Sequence, residues 1–191
     1  MTATPSLAAA NSHQNHDRSA DRRPYDGSAA EPVRPADLLR RTLRRQATAV
    51  TVVTVPGPAG FTATSFTSAS LEPALVSFYL SSTASTAATV RAADRFAVHL
   101  LGSEQEELAR GFARSGVDRF AGVAWTPSTG GLPLLSGVPA WLTARTVHVH
   151  DVGDHFLVVG EVEDAGGPGA EAPLVHHDGA FGTFRTDPPR G

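Results

Sequence analysis

The 191-residue chain contains no cysteine, which excludes disulfides, thiolate metal sites, iron–sulfur clusters and a thiol nucleophile. It has no apolar run near the roughly 20 residues that span a bilayer, and its start lacks the basic and apolar regions of a secretory signal. It also has no excess of positive charge: the formal net charge is −3 and the pI is about 6.2, which does not favour nucleic-acid binding. We therefore expect a cytoplasmic protein that binds neither membrane nor nucleic acid.

Composition divides the chain into three parts. Residues 1–34 hold few large apolar side chains, so burial cannot offset the entropy of ordering them. We predict a disordered N-terminal tail over 1–34 and a disordered C-terminus over 187–191. The 41% of hydrophobic residues supports one core-forming domain over 35–186.

Most of this domain alternates β-branched segments with turn signals. Residues 47–55, for example, end at Pro56-Gly57-Pro58, and a turn at 151–154 separates two long apolar segments. Many strands separated by turns predict a mainly β fold, a closed antiparallel barrel with a few short helices. The predicted strands are 47–55, 60–66, 74–80, 96–101, 141–150, 155–162 and 174–177.

Helices are predicted at a few corners of the barrel. One opens at Pro35, and a second covers 85–93. A third begins at a capping box formed by Ser103 and Glu106 and runs to about residue 113.

Hydroxyl side chains crowd one strand and the loop after it. Thr64, Ser65, Thr67 and Ser70 lie on either side of Phe66. Alternate residues of an extended chain face opposite sides, and a core strand would not hold so many hydroxyls without partners. Two interpretations stay open: a strand that binds a polar planar ligand bearing phosphate, or a hydroxyl-rich surface hairpin.

A second hydroxyl cluster precedes the helix predicted at 85–93. Helix N-termini present unpaired N–H groups and a positive dipole end, so they bind phosphate without lysine or arginine. The alternative is that Ser85 only caps the helix. The members of this cluster are Ser81, Ser82, Thr83, Ser85 and Thr86.

The histidines allow two further interpretations. His148 and His150 share one strand face, which permits metal chelation in a cupin-like barrel, or they are solvated strand histidines. His155 begins an apolar strand directly after a tight turn, so it can point into the mouth of the barrel and contact an anionic cofactor.

The order of these motifs resembles the short-chain flavin reductases, the FMN-binding split-barrel proteins that supply reduced flavin to two-component monooxygenases. The similarity extends from about residue 38 to residue 182. The segments that carry it are ATAVTVVTV at 47–55, GFTATSFTSASLEPALVSFYL at 60–80, STAATVRAADRFAVHLL at 85–101, ELARGFARSGVDRF at 107–120, GLPLLSGVPAWL at 131–142, GDHFLVVGEV at 153–162 and PLVHHDGAFG at 173–182.

The resemblance implies a homodimeric split barrel that binds FMN or FAD at the dimer edge. Residues 64–70 would run along the isoalloxazine ring and ribityl chain, 81–86 would hold the phosphate, and His155 would lie near the nicotinamide and flavin. His99 stands where the family often has Asn. The residues that would close the site are Phe112, Ala113, Arg119 and Phe120.

The activity implied by this resemblance is that of an NAD(P)H:flavin oxidoreductase, which transfers hydride from NADH or NADPH to FMN or FAD and supplies a partner monooxygenase by diffusion. The chain lacks a GxGxxG fingerprint, consistent with NAD(P)H docking over the flavin without a Rossmann domain. Two alternatives remain: a flavin-binding barrel without turnover, and a metal barrel built on His148 and His150.

Overall fold

A computed structural model describes residues 33–128, 130–169 and 171–184. The predicted tails, apart from Val33 and Arg34, lie outside these residues. The described helices are α1 (Pro35–Leu43), α2 (Ala87–Ala92) and α3 (Glu106–Ala113), and none of them is long and apolar enough to cross a membrane. The described strands are β1 (Thr48–Ala49), β2 (Thr51–Val55), β3 (Ala59–Ala63), β4 (Thr67–Leu71), β5 (Ala74–Ser81), β6 (Arg95–Leu100), β7 (Trp125–Pro127), β8 (Pro133–Leu135), β9 (Ala140–Val152), β10 (His155–Gly166), β11 (Leu174–His177) and β12 (Ala180–Thr183).

Seven strands form one antiparallel sheet in the order β3-β2-β6-β9-β10-β5-β4. Its hairpins β2–β3, β4–β5 and β9–β10 join strands that are consecutive in the chain, as short turns require. A three-stranded sheet, β1-β11-β12, and a two-stranded sheet, β7-β8, complete the described strands.

The seven-stranded sheet is rolled, because strands far apart in its order meet through their side chains. The ring centroids of Phe61 on β3 and Phe78 on β5 lie 5.6 Å apart, and Phe78 packs edge-on against Phe96 on β6. After β3, the Ser65 hydroxyl donates to the Tyr79 carbonyl oxygen at 3.1 Å and accepts from the Tyr79 N–H at 3.0 Å. The predicted fold, mainly β with an antiparallel split barrel, is confirmed.

β2 lies at the centre of the packing because both of its faces are buried. Val53 belongs to the apolar cluster inside the rolled sheet, whereas Val52 belongs to a second cluster under α3 and β8. The buried hydroxyls of Thr51 and Thr54 donate to backbone carbonyl oxygens at 3.0 and 2.7 Å. A run of β-branched residues therefore suits a strand that is covered on both sides.

His99 on β6 is fully buried between these layers. Its Nδ1 lies 3.0 Å from the Val52 carbonyl oxygen, and its Nε2 accepts from the Leu135 N–H at 3.1 Å. Both contacts are satisfied by the neutral ring with its proton on Nδ1. Burial lowers the pKa of His99 from 6.5 to about 4, against a smaller raising effect of the Val52 hydrogen bond.

Three details of the sequence-based prediction are wrong. The capping box does not form: Ser103 bonds weakly to Glu104 at 3.4 Å, and α3 is preceded instead by Gln105, whose side chain accepts from the Gly102 N–H at 2.9 Å. The strand predicted at 60–66 ends at Ala63, because the chain then turns so that Ser65 can bond to β5. The short strands β4, β7, β8 and β12 were not predicted, since they contain few apolar residues or span only three or four positions.

The environment of His99 predicts a stability that falls on acidification. Because the folded pKa of about 4 lies below the unfolded value of 6.5, the stabilising contribution is complete above pH 6.5 and is lost as the pH falls toward 4. A shift of this size corresponds to about 3 kcal/mol of unfolding free energy. Urea unfolding of the parent and of His99→Asn at several pH values between 7 and 4 measures it. We expect the parent to lose stability more steeply than the variant; equal slopes would contradict the assignment.

Candidate active site

The first cavity, here called the His155 cavity, has a volume of about 290 Å³ and is lined by residues 61–65, residues 79–81 and His155. β5 pairs with β10 so that His155 lies opposite Ser81, and the rolled sheet brings the end of β3 close to both. The predicted site residues that meet in this cavity are Thr64, Ser65, Ser81 and His155.

The rest of the first hydroxyl segment lies on or beside β4, an edge strand of the sheet. Phe66 is half-buried and packs against the apolar cluster inside the sheet. Thr67 and Ser70 lie on β4 itself, and the exposed Thr67 hydroxyl bonds to the neighbouring Ser68 carbonyl oxygen at 3.3 Å. The structure therefore divides the predicted segment 64–70 between a cavity wall and an adjoining sheet edge.

The hydroxyl loop, residues 81–86, is folded on itself and fixed to the β9–β10 turn. The Ser81 hydroxyl lies 3.0 Å from the Thr83 hydroxyl and accepts from the Thr83 N–H at 3.3 Å. The Ser82 N–H donates to the Asp154 carbonyl oxygen at 3.0 Å. Several hydroxyls are thus held at the carboxyl end of β5 before α2 begins.

Thr86 is the residue that precedes α2, so the interpretation in which Ser85 only caps this helix is wrong. The Thr86 side chain makes no capping hydrogen bond, and its buried Oγ1 has no hydrogen-bond partner within the described residues. A buried hydroxyl without a partner costs free energy. Such a group is expected where a ligand supplies the missing partner.

The second cavity, here called the Thr86 cavity, has a volume of about 300 Å³ and is lined by 58–60, Ser85, Thr86 and 116–120. Its β3 residues directly precede those of the His155 cavity. Both cavities also use the hydroxyl loop, the first through Ser81 and the second through Ser85 and Thr86. The two cavities therefore follow one another along β3, and we call them together the β3 groove.

Arg119 forms hydrogen bonds to three segments that line or adjoin the β3 groove. Its Nη1 donates to the Gly60 carbonyl oxygen at 2.7 Å, its Nε to the Arg114 carbonyl oxygen at 2.6 Å and its Nη2 to the Ser85 hydroxyl at 3.2 Å. Burial lowers the pKa of Arg119, which nevertheless stays charged at neutral pH. The guanidinium therefore holds residues 114–120 against β3 and the hydroxyl loop.

Aromatic rings support the same wall from behind. Phe112 is fully buried, and its ring packs edge-on against Phe120, with centroids 5.1 Å apart. Phe120 lines the Thr86 cavity, while Ala113 ends α3 in an exposed position. Of these three predicted residues, Phe120 reaches the groove and Phe112 positions it.

His155 is half-exposed, and its Nδ1 lies 2.6 Å from the Asp154 carboxylate. The hydrogen bond and the charge of His155 lower the pKa of Asp154. This contact orients the ring and, within the described residues, leaves Nε2 without a hydrogen bond. His155 is therefore a positioned imidazole at the mouth of the groove.

His148 and His150 lie exposed on β9, with ring centroids 5.6 Å apart and a 23° interplanar angle. Among residues 33–128, 130–169 and 171–184, no group of three His, Asp or Glu side chains is placed to hold a metal ion. The metal-barrel interpretation thus lacks a ligand set in this part of the chain.

Sequence reasoning missed two residues of the groove. Tyr79 lines the His155 cavity, and the alternation of residues 74–81 could have placed it on the outer face. Gly60 lies so close to the core that an added Cβ would be 2.8 Å from a Phe112 ring carbon. That contact joins residues 52 positions apart, so no local pattern reveals it.

Similarity to known proteins identifies the family of the chain. The chain matches the family described as flavin reductase like domain over residues 43–185. It is 44% identical over 150 residues to an NADH:FMN oxidoreductase of Rhodococcus erythropolis, which covers 74% of this chain and 78% of the relative. It is 36% identical over 139 residues to the flavin-dependent monooxygenase reductase subunit HsaB of Mycobacterium tuberculosis, covering 71% of this chain and 72% of the relative.

Among solved structures, it superposes with a TM-score of 0.76 on the NADH:FAD oxidoreductase SgcE6 of Streptomyces globisporus C-1027 in complex with NAD and FAD fragments. The two are 39% identical, and the match covers 83% of this chain and 99% of SgcE6. The resemblance drawn from the seven motifs is confirmed. From its motifs, its rolled sheet and these matches, the chain belongs to the flavin reductase-like domain family.

Proposed function

We propose that this protein is an NAD(P)H:flavin oxidoreductase that reduces FMN or FAD and supplies the reduced flavin to a partner monooxygenase. The observation that carries the proposal is the β3 groove, whose two neighbouring cavities are lined by Thr86 at one end and by His155 at the other, with the Thr86 hydroxyl unpartnered among the described residues. The names of the relatives, an NADH:FMN oxidoreductase and a monooxygenase reductase subunit, support it.

The residues of the groove fit a flavin. A flavin combines a flat polar ring with a phosphate, and the chain contains no lysine with which to bind that phosphate. The hydroxyl loop offers donors instead, and the orphaned Thr86 hydroxyl gains a partner if a phosphate oxygen lies beside it. The cavity volumes of about 290 and 300 Å³ suit the two ends of such a ligand.

Each part of the groove then has a role in binding. Residues 81–86 would hold the phosphate, and Thr64, Ser65 and the adjoining β4 edge would bind the ring and ribityl chain. Phe120, supported by Phe112 and held by Arg119, would close the opposite wall. When bound, the flavin supplies the redox chemistry by accepting hydride from the nicotinamide.

His155 would act on the nicotinamide side of the groove. Asp154 fixes the imidazole through Nδ1, so Nε2 is the atom available to orient the nicotinamide or to balance negative charge on the reduced ring. Hydride transfer itself needs no acid or base, and the protein contributes by holding the reacting atoms about 3–3.5 Å apart.

We further propose a homodimer whose contact includes α1. No residue of this nine-residue helix is buried, and Leu38, Leu39 and Leu43 are 51–59% exposed. A helix this short is marginal in water unless its apolar face is covered. Leu39 and Leu43 line a cavity of about 750 Å³ that also includes Thr64, Ser65 and Tyr79, so a second copy seated there would adjoin the flavin site.

We also propose the domain bounds and the cellular location of the protein. We place the catalytic domain over 35–186, which contains the family match at 43–185, with tails on either side. We place the protein in the cytoplasm, where reduced nicotinamide and flavin are both present.

NADH consumption in air with added FMN, FAD or riboflavin tests the activity. We expect the parent protein to oxidise NADH with at least one flavin. His155→Ala should slow turnover roughly tenfold to a hundredfold through lost positioning, with flavin affinity largely unchanged. His148→Ala, an exposed histidine on the same hairpin, serves as the control. A His155→Ala variant with the parental rate would refute the role of this residue.

Thr86→Val tests the phosphate end of the groove. Because the hydroxyl has no partner in the described part of the chain, its removal should keep or raise the unfolding free energy, by up to about 1 kcal/mol. FMN affinity should fall about tenfold or more, since a hydrogen bond to a charged group is lost. Calorimetry and flavin fluorescence quenching measure the two effects.

Thr54→Val is the matched control, because the Thr54 hydroxyl is bonded to the Pro133 carbonyl oxygen at 2.7 Å. This variant should lose about 1 kcal/mol of stability and keep the parental FMN affinity. Unchanged FMN binding by Thr86→Val would remove Thr86 from the site.

Sedimentation equilibrium tests the dimer. The parent should be a dimer at micromolar concentration, and the double variant Leu39→Glu/Leu43→Glu should be a monomer because two charges enter the apolar contact. Leu71→Glu, which changes an isolated leucine that is 87% exposed, should remain dimeric. A monomeric parent protein would contradict the proposal.

A further inference from the structure

Arg91, in the last turn of α2, contacts three different segments next to the candidate site. Its Nη2 donates to the Asp151 carboxylate at 2.5 Å and lies 3.5 Å from the Ser82 hydroxyl. Its guanidinium carbon lies 4.0 Å from the centroid of the Phe156 ring, and that ring is fully buried on β10. From α2, this one side chain therefore contacts the hydroxyl loop, the end of β9 and the core.

The partners of Arg91 belong to two segments that the site requires together. Ser82 lies in the hydroxyl loop, and its N–H bonds to the Asp154 carbonyl oxygen at 3.0 Å. Asp151 lies on β9 opposite Phe156, whereas Asp154 lies in the β9–β10 turn, and its carboxylate is 2.6 Å from Nδ1 of His155. The loop and the histidine are thus connected through one turn, and Arg91 binds Asp151 on the strand that leads into that turn.

We infer that Arg91 is a positioning residue of the flavin site, which, through Asp151 and Ser82, holds the hydroxyl loop against the turn that carries His155. This inference rests on the proposed function. Phe156 is fixed in the core and orients the guanidinium through a cation–π contact. The ion pair with Asp151 then fixes the position of the Arg91 guanidinium. A planar guanidinium can contact two partners at once, here Asp151 and Ser82.

Direct binding of the phosphate by Arg91 would predict the opposite effect of Asp151→Asn on flavin affinity. If Arg91 bound the phosphate directly, Asp151 would compete with the phosphate for the guanidinium, and its neutralisation would strengthen flavin binding. If Arg91 acts by holding the loop, Asp151 is the other half of the contact. Its neutralisation would then loosen the loop and weaken flavin binding.

The experiment compares FMN affinity, measured by fluorescence quenching without NADH, in the parent, Arg91→Ala, Asp151→Asn and the double variant. We expect Arg91→Ala to bind FMN roughly fivefold to thirtyfold more weakly, the scale of one cation–π contact together with one partly exposed ion pair. Asp151→Asn keeps the cation–π contact, so it should bind FMN up to about fivefold more weakly, the scale of the ion pair alone. The double variant should be no weaker than Arg91→Ala, because both changes break one contact. KM for flavin should rise in the same proportion, whereas kcat at saturating flavin should fall less than in His155→Ala.

Arg145→Ala is the control. Arg145 forms an ion pair with Glu161 at 2.5 Å and comparable exposure on the same hairpin, away from the hydroxyl loop, so its loss should leave FMN affinity unchanged. Asp151 is 76% exposed, and Asp151→Asn is therefore expected to fold.

Parental FMN affinity in Arg91→Ala would overturn the inference while leaving the proposed function intact. Tighter binding in Asp151→Asn together with weaker binding in Arg91→Ala would also overturn it, in favour of direct phosphate binding. A parent protein that binds no flavin would overturn both the inference and the proposed function.

Discussion

Antiparallel pairing of β5 with β10 places His155 opposite Ser81, and the geometry of the candidate site follows from that register. With this pairing, Phe156 and Leu80 point into the core while His155 and Ser81 face the groove. A slip of one residue would exchange these faces, burying the histidine and exposing the phenylalanine. The free-energy cost of exposing Phe156 therefore keeps the strand in the register that places His155 at the groove.

The rolling of the sheet brings β3 beside β5 and β10 at the candidate site. β3 stands at one end of the seven-stranded order, and only the curvature that brings Phe61 against Phe78 lets the end of β3 reach β5. The hydroxyl of Ser65 then bonds twice to the backbone of Tyr79. Core packing of Phe61 against Phe78 and the hydrogen bonds of Ser65 between β3 and β5 thus create the groove. Arg119 closes the groove from the other side.

Local patterns predicted the mainly β fold, the long β9–β10 hairpin and both hydroxyl clusters, since strand alternation, turn residues and helix N-termini have local signatures. They did not predict which hydroxyl is free. Ser65 is bonded to Tyr79 and Ser85 to Arg119, and these partners lie 14 and 34 residues away. Among the residues that the structure describes, Thr86 is left unpartnered, which becomes visible only when its three-dimensional surroundings are known. The capping box at Ser103 failed for a related reason: Gln105, nearer the helix, bonds to Gly102 and to Gly137.

If the β3 groove is one continuous flavin site, with the hydroxyl loop at one end and His155 at the other, bound FMN must lie along it. A crystal structure of the protein soaked with FMN tests it most directly. We expect phosphate density within hydrogen-bonding distance of the Thr86 hydroxyl and density for the isoalloxazine ring between the end of β3 and His155. Density for FMN elsewhere on the molecule, with the groove holding only solvent, would contradict it.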